Sequence, residues 1–324
     1  MEHEEKQDLY SIILPLFYFS KVLGITPFNL EGQIGNRELK ISHLSVIYFV
    51  TIRVITLIGQ ILHFFKNFEI SKSYSGQVFV TASFIIGLLH LLLSVMLFII
   101  MFVKRILVLE LFNKLSDIHF FILDKINLND NLYKFWQRIL VYAVIIQSIL
   151  FILPIMLLNL SNIFYSTYEY FTEICNCFSV FIFYILDIHV INIMFLLKQY
   201  FSVINSSIVN VMNEFHSSEI LGQHKKVVNS SKVKLKKLKG LHSYICNIAD
   251  FTNVTYSIQI MLIIADRYFI FLYKVYCTIT SVLKYQTDIY SSTIHNIIST
   301  NVTFLGTVQI IIMLWSTSAV SKEV

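Results

Sequence analysis

The chain has 324 residues, 56% of them hydrophobic and 14% charged, with a formal net charge of +5. Its mean hydropathy of +0.69 means more apolar side chain than a soluble domain of this length can hide, which excludes an ordinary water-soluble fold. The bilayer is the missing solvent, and the small cationic surplus reports membrane topology, not a nucleic-acid partner.

Reading from the amino end, Glu2, Glu4 and Glu5 stand where a signal peptide would be basic, so no cleavable leader is expected. From about Asp8 to Phe28 apolar residues dominate, but Pro15, Gly24 and Pro27 interrupt them. A short helix at the inner membrane interface is expected there, because a full crossing needs about 20 uninterrupted helical residues. Six runs meet that length: about His43 to Phe65, Gln77 to Val103, Arg138 to Leu160, Glu173 to Leu197, Phe251 to Cys277 and Ile294 to Ala319. Each is continuously apolar and does not alternate with period two, so the crossings are helices and not barrel strands. The fold class is therefore all-α, a polytopic membrane helical bundle.

The connections carry their own signals. Between Lys104 and Arg138, Leu107, Leu109, Leu111, Phe112, Leu115, Ile118 and Phe121 recur near helical spacing, which predicts a helix continuing below the bilayer. Phe201, Ile204, Ile208, Val211 and Phe215 carry the fourth helix on toward the cytoplasm in the same way. Ser217 to Ser231, with Gly222, Asn229 and several serines, reads as a mobile loop, and Lys232 to Asp250 as a helix leading into the fifth crossing. The lysines there suit a solvated helix face near anionic lipid.

Orientation follows from the cations. The second gap holds Lys104, Arg105, Lys114, Lys125, Lys134 and Arg138, and the fourth holds seven lysines from Lys225 to Lys239. The third gap has no Lys or Arg and the fifth has only Lys284. Gaps two and four are thus cytoplasmic, and so is the amino terminus. This yields a cytoplasmic segment over 1–42, a transmembrane bundle over 43–319 with cytoplasmic helical extensions at about 104–137 and 198–250, and a cytoplasmic end at 320–324. The protein is expected to be multi-pass in the plasma membrane.

Polar groups inside apolar runs are costly, about 2.5 to 3.5 kcal/mol for a mid-bilayer charge on insertion scales. Arg53 and Gln60 fall in the first crossing, His90 in the second, Asp187 and His189 in the fourth, and Asp266 and Arg267 in the fifth. One reading pairs them, Asp187 or Asp266 with Arg267, to hold helices in register. The other places Asp266, Arg267, Tyr268, Tyr184 and Asp187 in a ligand-binding wall of hydrogen-bonding and aromatic groups. His90, alone in its helix, reads as a bonded core side chain.

Catalytic signatures are thin. There is no Gly-rich phosphate loop, His-Glu-x-x-His or Gly-x-Ser-x-Gly, and Cys175-x-Cys177 lacks a second ligand pair. No enzyme, catalytic residue, metal or cofactor is expected. Cys175, Cys177 and Cys277 fall near outer helix ends, where buried thiols or an extracellular disulfide would both be compatible. The sequons at Asn159, Asn205, Asn229, Asn253 and Asn301 are uninformative, since most lie in cytoplasmic or membrane segments.

The stretch from Pro15 to Phe28, PLFYFSKVLGITPF, resembles the amino-terminal segment of insect gustatory receptors. Leu235 to Ala265 resembles their passage from cytoplasm into the fifth helix, and Leu314 to Glu323, LWSTSAVSKE, the end of their sixth. The resemblance implies a ligand-gated, non-selective cation channel: a homo- or hetero-tetramer around one pore, with a pocket for a small-molecule tastant in the outer half of each subunit. It also implies a seventh, pore-lining helix bearing Thr-Tyr and Gln-Phe elements. The sequence stops at Val324 before such a helix, six crossings of an expected seven, so this form is expected to be truncated and non-conducting. Insect odorant receptor-like channels are the next alternative. A G-protein-coupled receptor is a weaker one, because its amino terminus would lie outside and Asp266-Arg267-Tyr268 falls deep within a crossing. A transporter is weaker still, with 9 Gly, 3 Pro and no visible repeat. The Ile, Leu, Phe and Tyr of the outer halves favour a non-sugar tastant.

Overall fold

The computed structural model describes residues 9–32, 37–74, 77–126, 167–220, 224–283, 307–308, 310–312, 314–318 and 320–322. In chain order these form α1 (Leu9–Val22), β1 (Phe28–Glu31), β2 (Glu38–Ile41), α2 (His43–Tyr74), α3 (Gln77–Val103), α4 (Arg105–Ile126), α5 (Thr167–Ile220) and α6 (His224–Leu283). A further apolar helical segment covers Ile310–Lys322.

Among the described residues, four helices contain segments long and apolar enough to cross a membrane: His43–Lys66, Phe84–Val103, Phe181–Ser217 and Ser230–Tyr273. They match the first, second, fourth and fifth expected crossings. The third, 138–160, and most of the sixth, 294–319, lie outside the described residues.

Burial explains how the four are arranged. On α3 the exposed positions Ile85, Leu88, Leu92, Met96, Ile99 and Val103 recur every three or four residues, so one apolar stripe runs the length of the helix facing outward. In water such a stripe would be untenable, whereas lipid is its natural neighbour. By contrast α5 is buried on every side from Phe181 to Ile193, apolar round most of its circumference but for Asp187, His189 and Asn192. It packs against both α2 and α6.

Below that layer the helices run on. Leu111, Leu115, Ile118 and Ile122 of α4 share a core with Leu197, Tyr200, Phe201 and Ile204 of α5 and with Leu241, Ile245 and Ile248 of α6. Inside this core His119 Nδ1 and the Tyr200 hydroxyl meet at 3.0 Å. The helices expected from the 3.6-residue spacing are present here and pack against one another. Only Lys104 interrupts the helix between α3 and α4, and its ammonium donates to the Val254 and Thr255 carbonyls of α6.

Two expectations need correction. Most of the span expected as a mobile loop, Ser217 to Ser231, is helical: α5 continues to Ile220 and α6 begins at His224, while 221–223 lie outside the described residues. Serine and asparagine disfavour a helix by less than about 1 kcal/mol each, and propagation from two long packed helices outweighs that. The fold is also not purely α. After α1 the chain makes a small antiparallel hairpin in which Phe28 pairs with Ile41 and Leu30 with Leu39. Its inward side chains Phe28 and Leu39 are both buried.

Gly24 makes the turn between α1 and the hairpin. The Ile25 N–H donates to the Ser20 carbonyl at 2.8 Å and the Gly24 N–H to the Lys21 carbonyl at 3.0 Å. This is the paired bonding of a helix end closed by a left-handed residue, and Gly24 has φ 62°. The end is then pinned to α2 and the hairpin. The Tyr48 hydroxyl donates to the Val22 carbonyl at 2.6 Å, and Lys21 Nζ and Ser45 Oγ both donate to Asn29 Oδ1. At the amino end of α1, the Tyr10 hydroxyl donates to Asn113 Oδ1 of α4 at 3.0 Å. Burial pushes its phenol above the ordinary range.

Candidate functional site

Halfway along the crossings the apolar interior gives way to a connected set of polar side chains. Gln60 of α2 approaches Ser94 Oγ at 3.2 Å and His90 Nε2 at 3.3 Å, both on α3. The other ring nitrogen of His90 lies 2.6 Å from Asp266 Oδ1 on α6. Beside Asp266, the Arg267 guanidinium carbon lies 3.8 Å from the centroid of the Tyr184 ring on α5. Four helices are thus stitched together at one depth. Lys104, at the carboxyl end of α3, touches Val254 of α6; counting along each helix at about 1.5 Å per residue puts His90 about 21 Å and Asp266 about 18 Å from that contact.

Four of the five residues singled out as ligand-binding fall in this layer: Tyr184, Asp187, Asp266 and Arg267 are all buried. Tyr268 is not among them. Its side chain is 57% exposed and belongs to the outward stripe of α6 with Val254, Ile258, Met261 and Val275. Asp266 and Arg267 point inward, and the next residue, about 100° further round the helix, emerges on the far side.

The pairing differs from either arrangement expected. Asp266 takes His90 as its hydrogen-bonded partner, which makes His90 the bonded core histidine it was read to be and gives it a specific role. Asp187, 2% exposed, has neither carboxylate oxygen hydrogen-bonded. Arg267 likewise keeps Nε and one terminal nitrogen without a hydrogen-bond partner. Charge attraction from Arg267 and repulsion from Asp266 both reach Asp187. A buried carboxylate and a buried guanidinium with spare hydrogen-bonding capacity are costly to leave unsatisfied, so the layer can orient a small polar molecule against the Tyr184 ring.

His189 works elsewhere. Its Nε2 lies 2.5 Å from Ser20 Oγ on α1, while that hydroxyl donates to the Leu16 carbonyl at 2.7 Å. With the single hydroxyl proton committed, His189 must carry its proton on Nε2 and donate it. The bond docks α1 onto α5. A shallow recess adjoins it, lined by His189, Phe28, Arg105, Tyr256 and Gln259 among others.

Further along α5, Trp315 of the segment Ile310–Lys322 packs edge-on to Phe195, and Lys198 Nζ lies 5.5 Å from its ring centroid. Cys175 is a buried free thiol and Cys246 a half-buried one. The side chains of Cys177 and Cys277 lie outside the described residues. Among the described residues no group of three or more His, Cys, Asp or Glu could hold a metal ion.

The family model described as 7tm chemosensory receptor matches residues 13–323, nearly the whole chain. No curated protein matches it.

Proposed function

Because the chain belongs to the 7tm chemosensory receptor family, we propose that it is a gustatory receptor subunit, a ligand-gated non-selective cation channel that detects small-molecule tastants. Membership gives a chemoreceptor role in a membrane. The taste modality, the channel and the tetramer rest on the resemblance of Pro15–Phe28, Leu235–Ala265 and Leu314–Glu323 to insect gustatory receptors. The cytoplasmic amino terminus, the six crossings and the plasma membrane rest on the alternation of lysine-rich and lysine-poor connections.

The observation that carries the ligand site is the buried, incompletely bonded pair of charges: Asp187 with two unbonded oxygens and Arg267 with two unbonded nitrogens, beside the face of Tyr184. In this reading Asp187 and Arg267 bind the polar end of a tastant, Tyr184 stacks on its body, and Asp266 keeps Arg267 in an acidic setting. Tyr268 would line the outer approach. The walls around them are mostly aliphatic and aromatic, which favours a non-sugar compound.

Calcium imaging of cells expressing the receptor encoded by the whole gene, seventh helix included, run against a tastant panel, tests the function. A response to bitter or other apolar compounds, abolished in Asp187→Asn and Arg267→Gln, is expected. A response confined to sugars would overturn the ligand class. A panel compound that stabilises the purified protein yet evokes no influx would leave a receptor without a channel. For topology, an epitope ahead of Met1 should stain only permeabilised cells.

A further inference from the structure

Where α2, α3 and α5 meet, Arg53, Thr56, Gln60, Ser94, Ser179 and Phe183 are among the residues around a small cavity. Its volume, counted as the space open to the centre of a water molecule, is about 20 Å³. One water needs roughly 10–15 Å³ on that measure, so one fits and two do not.

The polar atoms around the cavity divide between donors and acceptors. Arg53 is 7% exposed and Gln60 4%. One terminal nitrogen of Arg53 points to the Met101 sulfur at 3.5 Å, and among the described residues its Nε–H has no hydrogen-bond partner. Gln60 turns its amide nitrogen toward His90 and Ser94, and its Oε1 is buried with no partner among the same residues. The Thr56 and Ser179 hydroxyls donate to the Ile52 and Cys175 carbonyls one turn back, so toward the cavity they have only lone pairs to offer. Ser94 accepts from Gln60 and still has its own proton to give.

Two donors and three acceptors call for an occupant that both accepts and donates. Water is the abundant species of this size that does both, and buried waters characteristically make about three such bonds to interior polar groups. A halide would accept from Arg53 and Ser94 but face the Gln60 oxygen and two hydroxyl lone pairs. A small cation would meet the guanidinium. We propose that this cavity is a binding site for a single water molecule, which accepts from Arg53 Nε–H and the Ser94 hydroxyl and donates to Gln60 Oε1 and to the Thr56 or Ser179 oxygen. The water joins Arg53 to Gln60, Gln60 already faces His90, and His90 meets Asp266. One chain of polar contacts then runs from α2 through α3 to α6. The site shares none of the residues assigned to the tastant, and its occupancy does not depend on channel activity.

The test is X-ray radiolytic labelling of the purified full chain in lipid nanodiscs, read residue by residue by mass spectrometry. Radiolysis makes hydroxyl radicals from water where it sits, so a buried side chain is oxidised only if a water lies against it. Phe183, which lines the cavity and is 2% exposed, should be oxidised. Phe201, 0% exposed and in the core shared with α4 and α6, is the dry control and should stay unmodified. Gln60→Leu removes an acceptor and should lower the labelling of Phe183 severalfold while leaving Phe201 unchanged. A wild-type Phe183 as protected as Phe201 would overturn the proposal, which decides the matter even if the variant fails to fold. Undiminished labelling in a folded Gln60→Leu protein would overturn it as well, and protection lifted only by removing chloride would give the cavity to that ion instead.

Discussion

His90 of α3 and Asp266 of α6 are joined by a 2.6 Å contact between Nδ1 and Oδ1, with Asp266 only 2% exposed. Removing one partner strands the other in a low-dielectric interior, an effect of about 3–5 kcal/mol for buried pairs. Asp266→Ala and His90→Ala should each lower the unfolding midpoint of the detergent-solubilised protein strongly. The double variant should lose much less than their sum, because the second change removes a group already stranded. Strict additivity in this cycle would show that the pair is not coupled.

Gly24 holds a left-handed conformation, and a Cβ added there would stand 2.9 Å from Ile52 Cγ2 of α2. Backbone strain and collision act together, so Gly24→Ala should cost about 1–3 kcal/mol. The loss should concentrate at the docking of α1 and the hairpin. Hydrogen exchange of residues 16–31 should accelerate while the α5 amides stay protected; unchanged exchange would argue against the role given to this turn.

At Gly59 the helices α2 and α5 approach so closely that an added Cβ would overlap the Cys175 side chain. Small residues permit such contacts in membranes, and overpacking typically costs about 1–3 kcal/mol. Gly59→Ala should therefore destabilise the protein, and adding Cys175→Gly should recover part of the loss. Thermal unfolding of the two variants in detergent is the check; no recovery would mean that Cys175 is not what Gly59 accommodates.

Asp117 on α4 has its carboxyl pushed above the ordinary 3.8 by burial and by the nearby Glu38. A raised folded value means that ionisation opposes folding. The penalty is absent below about pH 3.8 and grows as pH rises through the folded value. Asp117→Asn should thus raise the unfolding midpoint slightly at neutral pH and converge with the wild type in acid. A stabilisation that persists unchanged at low pH would point to another cause.

Much of this architecture could be read from the residues, because helix length and the 3.6-residue period are set by bilayer thickness and by burial, both local in sequence. Leu111, Leu115 and Ile118 declare a helix face wherever their partners are. Partnership itself is not local. Asp266 sits next to Arg267, and adjacency suggested a pair, yet neighbours in a helix point about 100° apart and the partner comes from 176 residues away. By the same geometry Tyr268, one residue further on, emerges on the exposed side of α6. The hairpin was illegible because its strands are only four residues each. The loop expected between Ser217 and Ser231 is helical over 217–220 and 224–231 because local serine and asparagine preferences are weak against two long helices.

Those two helices also have a mechanical implication. α5 and α6 contain 54 and 60 residues without a break, which makes them rods about 80 and 90 Å long. Tyr184 and Leu197 ride on the same rod, as do Arg267 and Ile248. A rocking of about 5° at one end of an 80 Å lever sweeps the other by about 7 Å, so the protein needs no joint to carry a disturbance from the layer around Tyr184 and Arg267 to the core around Leu197 and Ile248.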